Sequence, residues 1–472
     1  MRDAAAPASL EVRGSFLSRI AFPLLAWGLA FHSLVMAILF GFLGLPANVV
    51  RVIAAWKEAA LIGLCLIAML RAVSGRGPRV RITWADLWIG GLAAIGVAYL
   101  IGENSLLRTG LPISAELLGF RDAIYFLLIY FVGRSTPELV EDDRPMRVIF
   151  ALVVLTSIIG ILEPFLVPPQ ALVAIGVASY FNDFLGFSAG TIGNEYGLPQ
   201  NYWTVIGGVL FRRSGSIYLS GQGFAVPFLL FFPLVTAWVF ARPKRTVVQI
   251  AGYALVCTAL LMTVTRMTIF IAVVQIVLFI LMQRRPEWAV AALSISGMIF
   301  GAAFILIPGF PTFVWDTLSW QSSSSLTHTN DWANGIATFA QNPWGVGLGT
   351  ADLSSVRSGL PHITGDNLYL KYAVEMGVLG VGLLILSIGS ILSHSMALFR
   401  NATGDSQRRM GAAMWLATIG LILNGMTAVV FNSPIVAYLF FWLAGATVTS
   451  SQRRAADRPD AHALVLEPVR AG

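Results

Sequence analysis

Two adjacent arginines, Arg212 and Arg213, stand in "LFRRSGSIYLSGQGFA", and a third, Arg266, stands alone in "LLMTVTRMTIFIAVV". A guanidinium is a planar fork of N–H donors that matches phosphate oxygens and stays charged at any relevant pH. These side chains are therefore candidates for a phosphate clamp. The competing reading of Arg212 and Arg213 is interfacial anchoring, in which a long side chain reaches the lipid headgroups. For Arg266 it is a turn residue at the membrane surface. A second set of residues has the chemistry to move protons. His328 and His362 titrate close to neutral pH, which suits a general base. Asp366 is ionised there and can orient a hydroxyl or take its proton. A loop histidine is, by itself, more often simply solvated.

The elements that must position these groups are membrane helices. Of 472 residues, 57% are hydrophobic and only 12% charged, and the mean hydropathy is +0.76. A soluble domain carries about a quarter charged residues. The net charge of +7 does not indicate nucleic acid, because the basic residues lie between apolar runs and form no continuous stripe. The two cysteines, Cys65 and Cys257, sit inside apolar runs, so neither a disulfide framework nor a zinc site is indicated. No small-residue cleavage site follows the first apolar run, so the chain from Ile20 onward reads as a retained span.

Continuous apolar runs, not ten-residue alternating segments, predict an all-α polytopic bundle. About twelve helices are expected, at 20–44, 50–70, 84–102, 119–133, 147–166, 222–241, 247–264, 267–283, 288–308, 369–397, 411–431 and 433–450. Between Val247 and Met282 the only charged residue is Arg266. At about 1.5 Å per residue that run is far too long for one crossing of a roughly 30 Å apolar slab. Two helices meeting near Arg266 are the expected solution. With both termini in the cytoplasm and the spans alternating, 22 of the 31 Lys and Arg fall on the inside, as the positive-inside rule requires. The remaining nine, Arg266 among them, fall elsewhere.

Residues 1–19 and 451–472 are expected to be disordered cytoplasmic ends around a membrane domain at 20–450. Two outer connections are long, about 167–221 and 309–368, and their aromatics and glycines suggest order. In the second, "TNDWANGIATFAQ" places Trp332, Ile336 and Phe339 on one face of an amphipathic helix lying along the membrane surface. Asn342-Pro343 ends it, and Gly345, Gly347 and Gly349 make a flexible or tightly turned segment. "GVGLG" is no nucleotide fingerprint, since it does not follow a strand of a βαβ unit.

Three stretches resemble the O-antigen ligase and polymerase superfamily of bacterial membrane glycosyltransferases. The first is Arg213, Gly215, Gly221 and Gln222; the second is Thr263, Thr265 and Arg266. The third is a long loop with Trp332, Asn342, Pro343, Gly345, Gly347, Gly349, Asn367, Tyr369, Leu370, Glu375, Gly377 and Gly380. Arg121, opening an outer-facing span, is similar too. The resemblance runs from about the fourth helix to the tenth. It implies a GT-C-like bundle in the bacterial inner membrane, with its active site on the outer, periplasmic side. It also implies a glycan donor on a polyprenyl diphosphate, and no nucleotide sugar.

On that reading Arg213 and Arg266, with Arg212 and Arg121, grip the diphosphate and stabilise the charge that develops as it leaves. Metal assistance is then unnecessary, and the outer loops lack the clustered carboxylates magnesium favours; no metal and no cofactor are expected. Asp366, His362 and His328 stay open as the base. Trp332, Trp344, Tyr369 and Asn367 are the expected glycan contacts, with Tyr196, Tyr202 and Trp203 as further stacking surfaces or interfacial packing. Ligases typically carry His-Asn before the Tyr-Leu pair and arginine four residues before the loop tryptophan. Here those positions are Asp366-Asn367 and His328, which look more like the exopolysaccharide-polymerase branch. The expected partners are the lipid-linked oligosaccharide as donor and acceptor, the lipid bilayer and a chain-length regulator protein, with no nucleic acid. The alternatives are a ligase passing glycan to lipid A core or protein, and a transporter of lipid-linked oligosaccharide.

Overall fold

The computed structural model describes residues 15–456 except 76, 79, 103–109, 188–195, 200–201, 207, 243, 285, 320, 322 and 361–362. The chain is mostly helical. It opens with α1 (Leu17–Phe42), α2 (Ala47–Val73) and α3 (Trp84–Gly102). Next come α4 (Ile113–Ala123) and α5 (Leu128–Arg134), then α6 (Arg144–Leu166). The first long connection holds short helical turns and a hairpin, β1 (Trp203–Ile206) and β2 (Val209–Arg212). After it come α7 (Gly221–Phe240), α8 (Val247–Met262), α9 (Arg266–Met282) and α10 (Pro286–Leu306). The second connection is helical for much of its length, with α11 (Phe310–Leu318), α12 (Ser323–Gln341) and α13 (Asp352–Arg357). The chain closes with α14 (Leu368–Asn401), α15 (Asp405–Asn424) and α16 (Pro434–Ala456).

Among the described residues, seven helices are long and apolar enough to cross a bilayer: α1, α2, α3, α6, α7, α14 and α16. The protein is an integral membrane protein. Two of the other expected crossings, α8 and α9, fall below that length, with 16 and 17 residues. The crossing expected at 119–133 is broken at Ile124, where φ −124° interrupts α4 before a 3₁₀ turn and α5. The Tyr372 hydroxyl donates to the Ala123 carbonyl that the break exposes. In α7 and α16, 89% of the apolar window is buried, so these two form the interior of the bundle. The disorder expected at the ends falls mainly on 1–14 and 457–472, outside the described residues. Within them, helix begins at Leu17 and α16 continues to Ala456.

The hairpin was not anticipated, although its signal is local. "WTVI" and "VLFR" flank the dipeptide Gly207-Gly208, a hairpin signal in the sequence between strand-forming runs. Trp203 pairs with Arg212, and the Arg213 N–H donates to the Tyr202 carbonyl at 2.9 Å. The ladder thus carries both arginines to a defined place.

At 34 residues α14 is too long for one straight crossing, since it would extend about 50 Å. It breaks at Gly377, where φ +64° and ψ −159° lie in a region only glycine occupies readily. The "NPWGVGLG" segment fills the break. Val378 N–H donates to Pro343 O at 2.9 Å, Val346 N–H to Val374 O at 2.8 Å and Gly347 N–H to Glu375 O at 3.1 Å. Gly345, Gly347 and Gly349 have φ of +89°, +110° and +80°, so the segment is tightly turned. A Cβ at Gly377 would overlap the Pro343 carbonyl. Gly377→Ala is expected to lower stability by more than about 2 kcal/mol, read as a fall in Tm of the detergent-solubilised protein.

Candidate functional site

The site assembles at the end of the bundle where the two long connections gather. Its anchor is a residue the sequence reading passed over, Glu163 near the end of α6. One carboxylate oxygen accepts from Arg212 Nη2 at 2.6 Å and from the Tyr202 hydroxyl at 3.1 Å. The other accepts the backbone N–H groups of Gly215 and Ser216 at 2.8 and 2.9 Å. Side chains of adjacent strand residues point to opposite faces. Arg212 therefore turns to Glu163, while Arg213 turns the other way.

Arg213 reaches the turn between α8 and α9. Its Nε donates to Thr263 O at 2.8 Å and its Nη2 to Thr265 Oγ1 at 2.6 Å, while Ser214 N–H donates to Met262 O at 3.0 Å. Gly221 leaves room for this side chain, since a Cβ there would lie 2.8 Å from Arg213 Nε. The turn itself is strained. Val264 has φ +48°, which a β-branched residue rarely adopts. The strain lets the chain reverse within three residues and start α9 at Arg266. Arg266 is half-buried and stands near Arg213, close enough for its charge to act there. Burial first, and then that neighbouring charge, push the Arg213 pKa down to about 10. Among the described residues no carboxylate forms an ion pair with Arg213, while the Arg266 charge acts on it.

The other expected clamp residues are differently placed. Arg212 is committed to Glu163 in an ion pair whose side chains are 10% and 5% exposed. Arg121 bonds Asp122 at 2.8 Å and lies 4.0 Å from Glu58. Both charges are already balanced by protein carboxylates.

Beside Arg266 comes His328 on α12. Burial holds its imidazole below the ordinary value; Asp331 opposes this and Arg266 adds to it. Asp331, three residues along the same helix, is a second residue the sequence reading missed. Its charge also acts on Asp366 across the gap between α12 and the start of α14. Asp366 is partly open to solvent, yet the surrounding protein, and then Asp352 and Asp331, push its carboxyl up to about 7. The cause is like charge in a poorly solvated place. His362 lies outside the described residues.

The segment carrying Asp366 is held firmly. Asp352 N–H donates to Thr364 O at 3.0 Å, and Gly335 of α12 packs against Thr364, where a Cβ would come within 2.9 Å of its hydroxyl. Asn367 caps α14, accepting from Leu370 N–H at 2.9 Å and donating to Met426 O at 3.1 Å. The Tyr369 hydroxyl donates to Ile422 O at 2.8 Å. The polar atoms of Asn367 and Tyr369 thus serve the fold and place Asp366. Trp332 is half-buried on α12 beside Asp331, and the Trp344 side chain is 62% exposed. Tyr202 is buried against Glu163.

Below Asp366 lies a buried charged trio. Lys371 Nζ is 3.6 Å from Asp352 and 3.7 Å from Glu375, and Asn432 donates to Asp352. Glu375 accepts from the Gly349 N–H at 3.1 Å, tying the glycine segment to α14. Among the described residues, no group of three His, Cys, Asp or Glu side chains is arranged to hold a metal ion.

This arrangement offers two kinds of chemistry side by side: cations for an oxyanion, and a near-neutral carboxyl for a proton. No curated protein matches the chain. Residues 251–385 match the family model described as O-Antigen ligase, a stretch that includes Arg266, His328, Asp331, Asp366 and Glu375 and leaves Arg121, Arg212 and Arg213 outside it. That match supports the chain's resemblance to the O-antigen ligase and polymerase superfamily over this stretch.

Proposed function

We propose that the protein polymerises polyprenyl-diphosphate-linked oligosaccharide repeats into a surface polysaccharide, on the outer face of the bacterial inner membrane. The observation that supports this reading is the proximity of Arg213 and Arg266, linked through His328 and Asp331 to a carboxyl group, Asp366, poised near neutral pH. The diphosphate of the donor sits against the two guanidinium groups. The start of α9 adds the positive end of its peptide dipole. An acceptor hydroxyl attacks the anomeric carbon, the bond from that carbon to the diphosphate oxygen breaks, and the electron pair leaves with the diphosphate. The hydroxyl proton passes to Asp366, with His328 and His362 as the other candidate bases. No metal or cofactor takes part in these steps.

In this reading about twelve helical segments cross the membrane, both termini are cytoplasmic, and a chain-length regulator is a partner. Arg212 and Arg121 act by shaping the site, since each is already paired with a carboxylate. Asp366 in place of the histidine typical of ligases favours the polymerase. The second reading, a ligase that passes glycan to lipid A core or protein, is favoured by the printed description of the matching family. Purified protein supplied with lipid-linked repeats separates the two. A polymerase builds a ladder of products on the polyprenyl carrier without any other acceptor. If product forms only when lipid A core or protein is added, the polymerase reading fails.

A further inference from the structure

A further guanidinium group, Arg357, lies at the far end of α13 from the Asp366 segment. The first residue of α13, Asp352, touches the Asp366 segment through Thr364 and pairs with Lys371. The last residue, Arg357, lies about 8 Å further along the helix axis. The Arg357 guanidinium is half-buried and stacks over the Phe187 ring at 5.3 Å. Its Nε is buried and has no hydrogen-bond partner among the described residues, and no carboxylate there pairs with it.

Three separate parts of the chain meet at this place. Arg357 comes from α13, and Phe187 with Tyr180 from the first long connection. Arg121 and Asp122 come from α4, with the Arg121 side chain 40% exposed. Arg357 lies within electrostatic reach of both Asp122 and Tyr180. The glycine segment fixes α13 against α4: Gly349 is in backbone contact with Ala115 and Gly119.

A half-buried guanidinium with an unfilled donor, set against an aromatic face, is suited to a ring that carries an oxyanion. The cation takes the anionic group and the aromatic takes the ring face. It is built from other elements than the proposed diphosphate clamp, since Arg213 and Arg266 meet at the α8–α9 turn whereas Arg357 packs on Phe187. Building on the transferase reading, we propose that Arg357, with the Phe187 ring, forms a subsite for an acidic sugar of the acceptor glycan. The anionic group is a uronate carboxylate or a sugar phosphate ester.

The test is binding to the purified full-length protein, by titration calorimetry, with four probes. These are a glucuronate tetrasaccharide, a neutral glucose tetrasaccharide, the same tetrasaccharide bearing one phosphate ester, and inorganic diphosphate. At least one anionic tetrasaccharide is expected to bind about tenfold or more tighter than the neutral one, and which one does so identifies the anionic group. Arg357→Ala removes that preference and leaves inorganic diphosphate binding intact, whereas Arg357→Lys retains part of it. Equal binding of neutral and anionic tetrasaccharides by the unmodified protein overturns the proposal, as does a preference that survives in Arg357→Ala. Loss of inorganic diphosphate binding in the unmodified protein would instead count against the clamp, and leaves the anionic preference to be judged separately.

Discussion

Alanine at Arg266 or at Arg213 is expected to lower elongation of lipid-linked repeats by about 10²–10³-fold, in protein shown to be inserted and folded. Glycosyl transfer from a polyprenyl diphosphate develops negative charge on a leaving group that is already anionic. A fixed guanidinium stabilises that charge without giving up a proton, and does so most strongly where water is scarce. Arg213 is held for this by Thr263 and Thr265, and Arg266 by its place at the start of α9. Lysine at either position keeps the charge but loses the planar fork, so a partial loss is expected. Rates are read from product ladders over time. Normal elongation in both alanine variants would remove the clamp, and the proposed mechanism with it.

The second large effect concerns Asp366. Asparagine there is expected to slow transfer by about 10²–10⁴-fold, the usual contribution of a positioned base. The pH dependence gives a sharper readout. The base works as the carboxylate, and the carboxyl is pushed up to about 7. Activity therefore falls as pH drops through about 7, where an ordinary aspartate would still be ionised. Two of the causes of this shift, Asp352 and Asp331, are negative charges. Neutralising Asp331 as asparagine lowers the Asp366 pKa, so the acid limb of the profile moves to lower pH. His328 also feels the Asp331 charge, and the same variant removes this contribution that raises its pKa; both groups then stay deprotonated further into acid. An acid limb unchanged in Asp366→Asn would transfer the role of base to His328 or His362.

The contrast between Arg212 and Arg213 shows why some of this was legible early and some was not. Both were equal candidates as neighbours in one sequence. Only the hairpin separates them, because strand alternation sends Arg212 to Glu163 and Arg213 to the Thr263–Thr265 turn. Glu163 lies some fifty residues away, and nothing local in the sequence announces the pairing. Asp331 and Asp352 were likewise unremarkable in their loops, and matter because α12 and α13 bring them up to Asp366.

The membrane character, the helical class and the interruption at Arg266 were set by the sequence alone. Apolar runs have one stable answer in lipid, a hydrogen-bonded helix, and a lone charge in a 36-residue run marks where two helices meet. The expected surface helix around Trp332 and its end at Asn342-Pro343 also follow from local patterning, and α12 ends at Gln341. The tertiary structure alone decided that α14 breaks at Gly377 to receive the glycine segment, and which arginines are paired with a carboxylate, as Arg212 is with Glu163 and Arg121 with Asp122. Those outcomes depend on carbonyls, carboxylates and guanidinium groups meeting across long stretches of chain, a matter of packing geometry that local composition does not encode.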